Sequence, residues 1–516
     1  MDLKFNKEIV SVRETVYDGA GEQSVELDYI LPDYYPEVFK LVKCEMSPKI
    51  ISHSVSGDRI NYDISVQLRI LYCGENSNTL QCVTQKLTYS KSIELSKIYD
   101  SLVVNLSPKA DYVNCRVVNQ RRLDIRGAVT VKAKICAEQK KEVLSDAFGM
   151  NVQLKKHSIR YASNKITAFK QFVIEDSAQL PAASPEVLNI IKTTAIINQT
   201  DKKIIANKLV VKGDAAVNVL YACEKDKSGS LESVGFTFPF SQIIDMEGIA
   251  EDYFCGITLD VCDCDVKCTP GTDTLANEIN CEITVAASVT ALKEGTAEIV
   301  EDAYSTTYEC DYTAAPMRIE QIPITLDFNC QAKTSIDYTE SEIDCIYDAF
   351  AEVFNVNSTV NAAEQKLGVS GMVKYQAVVR NSDGMPVILE KDEAFECTYD
   401  LPEAAENSVA EPAISVTACS YTLTSPTNIS LKADLKIDGN LYTCAATNVI
   451  TDLTVDENAM KVEQEDFALK LYFANKDEDL WEIAKKYSSG VEAIMEENDL
   501  ETPQPREGML IIPILN

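Results

Sequence analysis

Between Tyr62 and Ile70 apolar and polar residues alternate without a break. Tyr62, Ile64, Val66, Leu68 and Ile70 fall on one side, and Asn61, Asp63, Ser65, Gln67 and Arg69 on the other. Period two over that length predicts an antiparallel strand with one face buried and one wet. The turn-rich stretch Gly74-Glu75-Asn76-Ser77-Asn78 follows, and LQCVTQKLTYSKSIEL then predicts the returning strand of a hairpin. The same succession recurs with the turns Lys225-Asp226-Lys227-Ser228-Gly229 and Asn381-Ser382-Asp383-Gly384. A second alternating run follows each time, at Ile125–Ile135, Ile279–Val285 and Leu431–Ile437. The stretch Pro36-Glu37-Val38-Phe39 is expected to open a single helical turn.

The recurrence extends to residue identity. LPDYYPEVF (31–39) and LPAASPEVL (180–188) share Leu, Pro, Pro, Glu and Val at a constant offset of 180 − 31 = 149, which also carries Leu71-Tyr72 onto Leu220-Tyr221. A third copy keeps LGVSGMVKYQAVV (367–379), where Gly371 answers Gly213 at an offset of 158. Repetition of this kind predicts three diverged copies of one unit. The expected fold is mainly β: three repeated antiparallel β-sandwich or barrel-like domains at 1–160, 161–310 and 311–457, then a small α+β (βααβ) domain at 467–516. Leu401–Ala413 is expected to be a surface loop, and Val455–Asp466 a linker.

Charge narrows the chemistry. The net charge is 48 − 80 = −32, which disfavours nucleic acid and anionic membrane as partners, because both require clustered cations. Only His53 and His157 are present, and the 149 offset puts Lys202 and Thr306 at their counterparts. No phosphate loop, dinucleotide fingerprint or nucleophile elbow appears, so neither an enzyme nor a cofactor is expected. No segment is long and apolar enough to be a transmembrane helix, and the N-terminal MDLKFNKEIVSVRE lacks an apolar core for a secretory signal. A reducing compartment follows as the expectation. The seventeen scattered cysteines are then free structural thiols, with a disulfide framework as the alternative. Cys262, Cys264 and Cys268 lack the spacing of a zinc knuckle and fit a strand with inward thiols, so no metal is expected.

After residue 466 the period changes. Leu471-Tyr472-Phe473 predicts a short strand, and Asp479 can cap a helix carrying Leu480, Ile483, Ala484 and Tyr487 on one face. Val491, Ile494 and Met495 predict a second helix, and Gly508 precedes a closing strand. Leu480-Trp481-x-Ile483-Ala484-Lys485-Lys486-Tyr487, Ile494, Asn498-x-Leu500 and Gly508-x-Leu510-x-Ile512-Pro513 together resemble a LysM domain. Such domains bind N-acetylglucosamine glycans between two loops, usually with a Gly-Asp-Thr stretch before the Leu-Trp. Here Asp477, Glu478 and Asp479 stand there, and the charge over 469–516 is 5 − 10 = −5. Losing the glycine restricts the backbone where a ligand must approach closely, so a protein surface stands beside glycan as the ligand. The partner-binding or glycan-binding residues the resemblance implies are Asp477, Glu478, Asp479, Leu480, Trp481, Asn498, Asp499 and Leu500. Taken alone, Trp481 is first a core anchor, Asn498 first a cap or turn residue, and Asp477 and Glu478 equally a solvated loop or an acceptor for a partner's cations.

β repeats followed by one C-terminal LysM resemble the SPOCS family of spore-forming clostridia. That resemblance implies a coat morphogenetic protein made in the mother-cell cytoplasm and assembled on the forespore surface. Its partners would be a SpoIVA-like coat ATPase, contacted through the LysM, and other coat proteins. The rival expectation is a peptidoglycan-binding protein of spore cortex or cell wall. A hydrolase of diverged motif ranks last, given the shortage of histidine.

Overall fold

The computed structural model describes residues 3–513 except 75–78, 100–101, 182–183, 224–229, 270–277, 403–407, 462–468, 476–477 and 504–506. The first two hairpin turns named above lie wholly or mainly outside the described residues. The third is a turn, with Gly384 at φ +77° donating its amide to the Asn381 carbonyl.

Strands dominate, and they fall into three groups of six. The first group is β1 (Lys4–Ile30), β2 (Val38–Ser56), β3 (Arg59–Gly74), β4 (Leu80–Glu94), β5 (Leu102–Asn119) and β6 (Arg122–Phe148). The second is β7 (Val152–Gln179), β8 (Val187–Ile205), β9 (Lys208–Cys223), β10 (Ser230–Asp245), β11 (Tyr253–Thr269) and β12 (Glu278–Ser305). In the third, the first and last strands are each broken: β13 (Tyr308–Glu320) continues as β14 (Ile324–Asp337), and β19 (Asn428–Tyr442) as β20 (Cys444–Met460). Between them run β15 (Ile343–Asn361), β16 (Lys366–Asn381), β17 (Pro386–Asp400) and β18 (Val409–Ser425). Every group makes two three-stranded antiparallel layers, β1-β6-β5 against β2-β3-β4 and the corresponding strands in the other two, and the β13-β20 ribbon pairs onto β1 at Val12 and Ile319 to extend the first layer to a five-stranded sheet. The alternating residues Tyr62 to Ile70 all point into the core between the sheets.

Several details depart from the expectations. Pro36-Glu37-Val38-Phe39 opens no helical turn. Instead the Tyr35 amide closes a turn on the Pro32 carbonyl at 3.0 Å, matched by Ser184 on Pro181 at 2.8 Å, and Val38 begins β2. The boundary placed at 160/161 lies inside β7, and that at 310/311 lies inside β13. Strand β20 runs through Val455 to Met460, so the linker starts later than expected, and β18 already begins at Val409. One disulfide, Cys330–Cys397, joins β14 to β17, while fourteen cysteines among the described residues form no disulfide. Cys264 and Cys268 pack on the second core, and Cys262 sits at a bulge with its thiol toward the Ile50 carbonyl of the first group.

The long first and last strands serve two cores each. Their inner halves close the sandwich, while their outer halves pair as ribbons that converge between the groups. Val10, Val12 and Val143 meet Ile159 and Ile299, and Met317, Ile319 and Val449, in one apolar cluster. Leu144 and Ala147, Val300 and Ala303, and Ile450 and Leu453 form the next layer. A third cluster gathers Leu71, Ile191, Leu220, Phe350 and Val378 from the other sheets.

Polar junctions around it run in cyclic order. Lys192 of the second group reaches Glu45 of the first (3.3 Å) and Gln376 of the third (2.5 Å); Asp348 of the third accepts from Asn218 and Ser233 of the second; Lys43 of the first pairs with Glu390 of the third. Head-to-tail contacts that return to their start make a closed ring, here within one chain. A buried cluster locks it, with Arg13 and Lys165 at 3.7 and 3.9 Å from Glu320.

Candidate functional site

The C-terminal module is built as its pattern predicts: β21 (Leu469–Ala474), α1 (Leu480–Lys486), α2 (Val491–Glu497) and β22 (Gly508–Pro513), with the two strands paired antiparallel. Asp479 caps α1, accepting the Trp481 amide at 2.9 Å. The module's core of Ala474, Leu480, Trp481, Ile483, Ala484, Ile494, Leu510 and Ile512 has one further member, Tyr304, which comes from β12 of the second group. So small a core is completed by the surface it sits on.

The seat is a cluster centred on Asp302. Its carboxylate accepts the Trp481 indole N–H at 2.7 Å, the Lys485 ammonium at 2.7 and 2.8 Å, and the Tyr312 hydroxyl at 2.9 Å. The Tyr304 ring meets Trp481 edge-on with centroids 5.0 Å apart, and its hydroxyl donates to the Ser489 carbonyl at 2.6 Å. Lys155 donates to Asp479 at 2.7 Å, and Lys461 donates to the Ser305 carbonyl at 2.7 Å. Burial alone would raise Asp302, but the bonds from Lys485, Trp481 and Tyr312 outweigh it and hold its carboxyl below the usual range. Asp479 is lowered in the same way by Lys155 and the Trp481 amide, against its own burial.

The eight residues singled out from the sequence divide sharply. Asp477 lies outside the described residues. Glu478 is half-exposed and folds back on its own loop, accepting the Tyr472 hydroxyl at 2.9 Å and the Asn475 amide at 3.0 Å. Asp479 and Trp481 belong to the seat, and Leu480 is fully buried. Asn498 clasps α2 to β22, donating to the carbonyls of Ile494 (2.7 Å) and Ile511 (2.6 Å) and accepting the Ile511 amide at 2.7 Å. Leu500 packs half-buried on the module core. Asp499 is exposed at a positive φ of 49°.

The seat residues Lys155, Asp302 and Tyr304 were missed by sequence reasoning. The one available signal is the comparison of Asp146-Ala147-Phe148, Asp302-Ala303-Tyr304 and Asp452-Leu453-Thr454, where only the second copy pairs the aspartate with a hydroxyl-bearing ring.

The module's outward surface has two parts. The outer face of the β21–β22 pair exposes Leu471, Phe473 and Met509, each at least 60 % accessible. Helix α2 and the chain after it present Glu492, Glu496, Glu497, Asp499 and Glu501. His53 lies against the Phe169 ring at 5.3 Å and far along the chain from His157. Among the described residues no three His, Cys, Asp or Glu side chains are grouped to hold a metal ion, and no helix is long and apolar enough to cross a membrane.

Compared with known proteins, residues 186–269 match the family described as SipL, SPOCS domain. The match spans β8 to β11, so the second group carries a SPOCS domain. No curated protein and no solved structure matches the chain. The SPOCS domain ties the chain to sporulation and the spore coat.

Proposed function

We propose that this chain is a non-enzymatic assembly protein of the spore coat, in which a β ring carries a LysM module that docks on a coat-basement ATPase of the SpoIVA type. It would act from the mother-cell cytoplasm at the forespore surface, tethering other coat proteins there. The observation that carries the reading is how the module's loop residues are used. Glu478 and Asn498 are engaged inside the module, and Asp479 and Trp481 hold the seat. These are the positions where the resemblance would put sugar contacts. What faces outward is apolar surface and carboxylate, which suits a protein with basic and apolar residues better than an uncharged glycan. Tethering through two sites on one chain raises effective concentration without needing either site to bind tightly.

The test is a calorimetric titration of the full chain with a purified SpoIVA-type ATPase and, separately, with N-acetylglucosamine oligomers, following emission from Trp481, the one tryptophan. Binding to the ATPase with none to the oligomers is expected. Binding to the oligomers alone would move the protein to cortex or wall glycan and end this reading.

A further inference from the structure

Because the three groups share one architecture, a position that one group uses differently points to a local role. In each group the first and fourth strands face one another along a seam between the two sheets. The second group bridges this seam: Lys170 on β7 donates to the Ile243 carbonyl on β10 at 2.7 Å, and the Phe172 and Phe240 rings meet at 5.8 Å. The third bridges it more heavily. Phe328 stacks on Tyr399 at 4.2 Å, Cys330 is bonded to Cys397, and Thr334 donates to Glu393 at 2.8 Å.

Counting back from the matching strand ends Ile30, Gln179 and Asp337, the first group has Gly21 where the others have Lys170 and Phe328, and Gln23 where they have Phe172 and Cys330. Gln23 folds back onto the Ser24 carbonyl at 2.6 Å, and Glu94 is held by Arg59. A Cβ added at Gly21 would meet only the Tyr62 hydroxyl, at 3.7 Å. Among the described residues no hydrogen bond crosses from Tyr17–Gln23 to Lys91–Glu94. The seam opens there into a cleft of about 330 Å³, with Tyr17, Tyr62 and Lys91 on its walls and Ile64, Ile93 and Val131 at its floor.

We infer that this cleft receives an extended peptide segment of a partner protein whose apolar residues alternate with basic ones. Both walls are strand edges. Over this stretch β1 is laddered only to β6, and β4 only to β3, so the facing edges carry main-chain groups suited to strand addition. An added strand points every second side chain inward, which matches the apolar floor. Of the lining residues Glu22 and Glu94 bring carboxylates against the single cation Lys91, and the chain's −32 charge biases the site the same way. The site lies on the first group, away from the C-terminal module, so it stands independently of the docking role proposed for that module.

The test is selection of phage-displayed random twelve-residue peptides on the full chain. Enriched peptides should alternate apolar with basic residues, slow amide exchange at 17–23 and 91–94, and lose at least about tenfold in affinity for Gly21→Lys/Gln23→Phe, which installs the second group's bridging residues. Gly21→Ala, which leaves the cleft open, should retain binding, and Gly21→Lys alone serves if the double variant does not fold. No enrichment, or equal binding to the bridged variant, would overturn the inference.

Discussion

Asp302 fixes where the C-terminal module sits, because three donors from two parts of the chain converge on its carboxylate. Asp302→Ala leaves the Trp481 indole and the Lys485 ammonium without that acceptor and is expected to weaken the seat by about 2 kcal/mol. The measurement is Trp481 emission, which should shift to the red as water reaches the ring; unchanged emission would show that packing on Tyr304 suffices. Acid should act similarly. The folded pKa of Asp302 lies below its unfolded value, so its contribution is complete above the ordinary carboxylate range and is lost as pH falls through it; Asp479 adds the same sign. Emission from the seated module should therefore redden below about pH 4 and be flat near neutrality. At this scale the sequence was only partly legible. The capping role of Asp479 and the anchoring role of Trp481 follow from local spacing. Asp302 does not, being one of 80 acidic residues and 179 positions from the indole it binds.

Among the elements, period-two patterning located the strands well because each has one core-facing side throughout. Their length was harder to read. β1, β6, β7 and β12 run 27 or 28 residues because each serves both the central ribbons and its own sandwich, β1 and β7 reaching the ribbons first and β6 and β12 last. The passage between cores is marked by a register shift at Thr15/Tyr17 in β1, by one at Lys293/Glu294 between β12 and β7, and by the break at 321–323 in the third group. An extra residue there re-aims the alternation from one core to the next. No composition change accompanies the passage, so boundaries drawn at 160 and 310 fell inside strands. The central ribbons should behave as one cooperative element. Ile299, fully buried where all three meet, is the place to test this. Ile299→Ala should cost about 2–5 kcal/mol, and hydrogen exchange should rise together in the outer halves of β1, β12 and β13. A rise confined to β12 would mean the ribbons are independent.

For the whole molecule, repetition in the sequence announced three like units but carried no information about how they meet. Ring closure depends on pairs such as Lys43 with Glu390 and Arg13 with Glu320, which join residues hundreds of positions apart. Closure also covers sheet edges that three separate sandwiches would leave open to aggregation. The C-terminal module then rides on the second group while the first keeps its open seam, so the two candidate contact surfaces lie on different parts of one frame. The most direct check of that arrangement is zero-length carbodiimide cross-linking of the full chain, read by mass spectrometry. Lys86–Asp263 at 2.5 Å, Lys155–Asp479 at 2.7 Å and Lys43–Glu390 are all partly exposed and should each give a linked peptide, joining first to second group, module to second group, and first to third. Links found only within single groups, with these three absent, would contradict the closed ring and the seated module together.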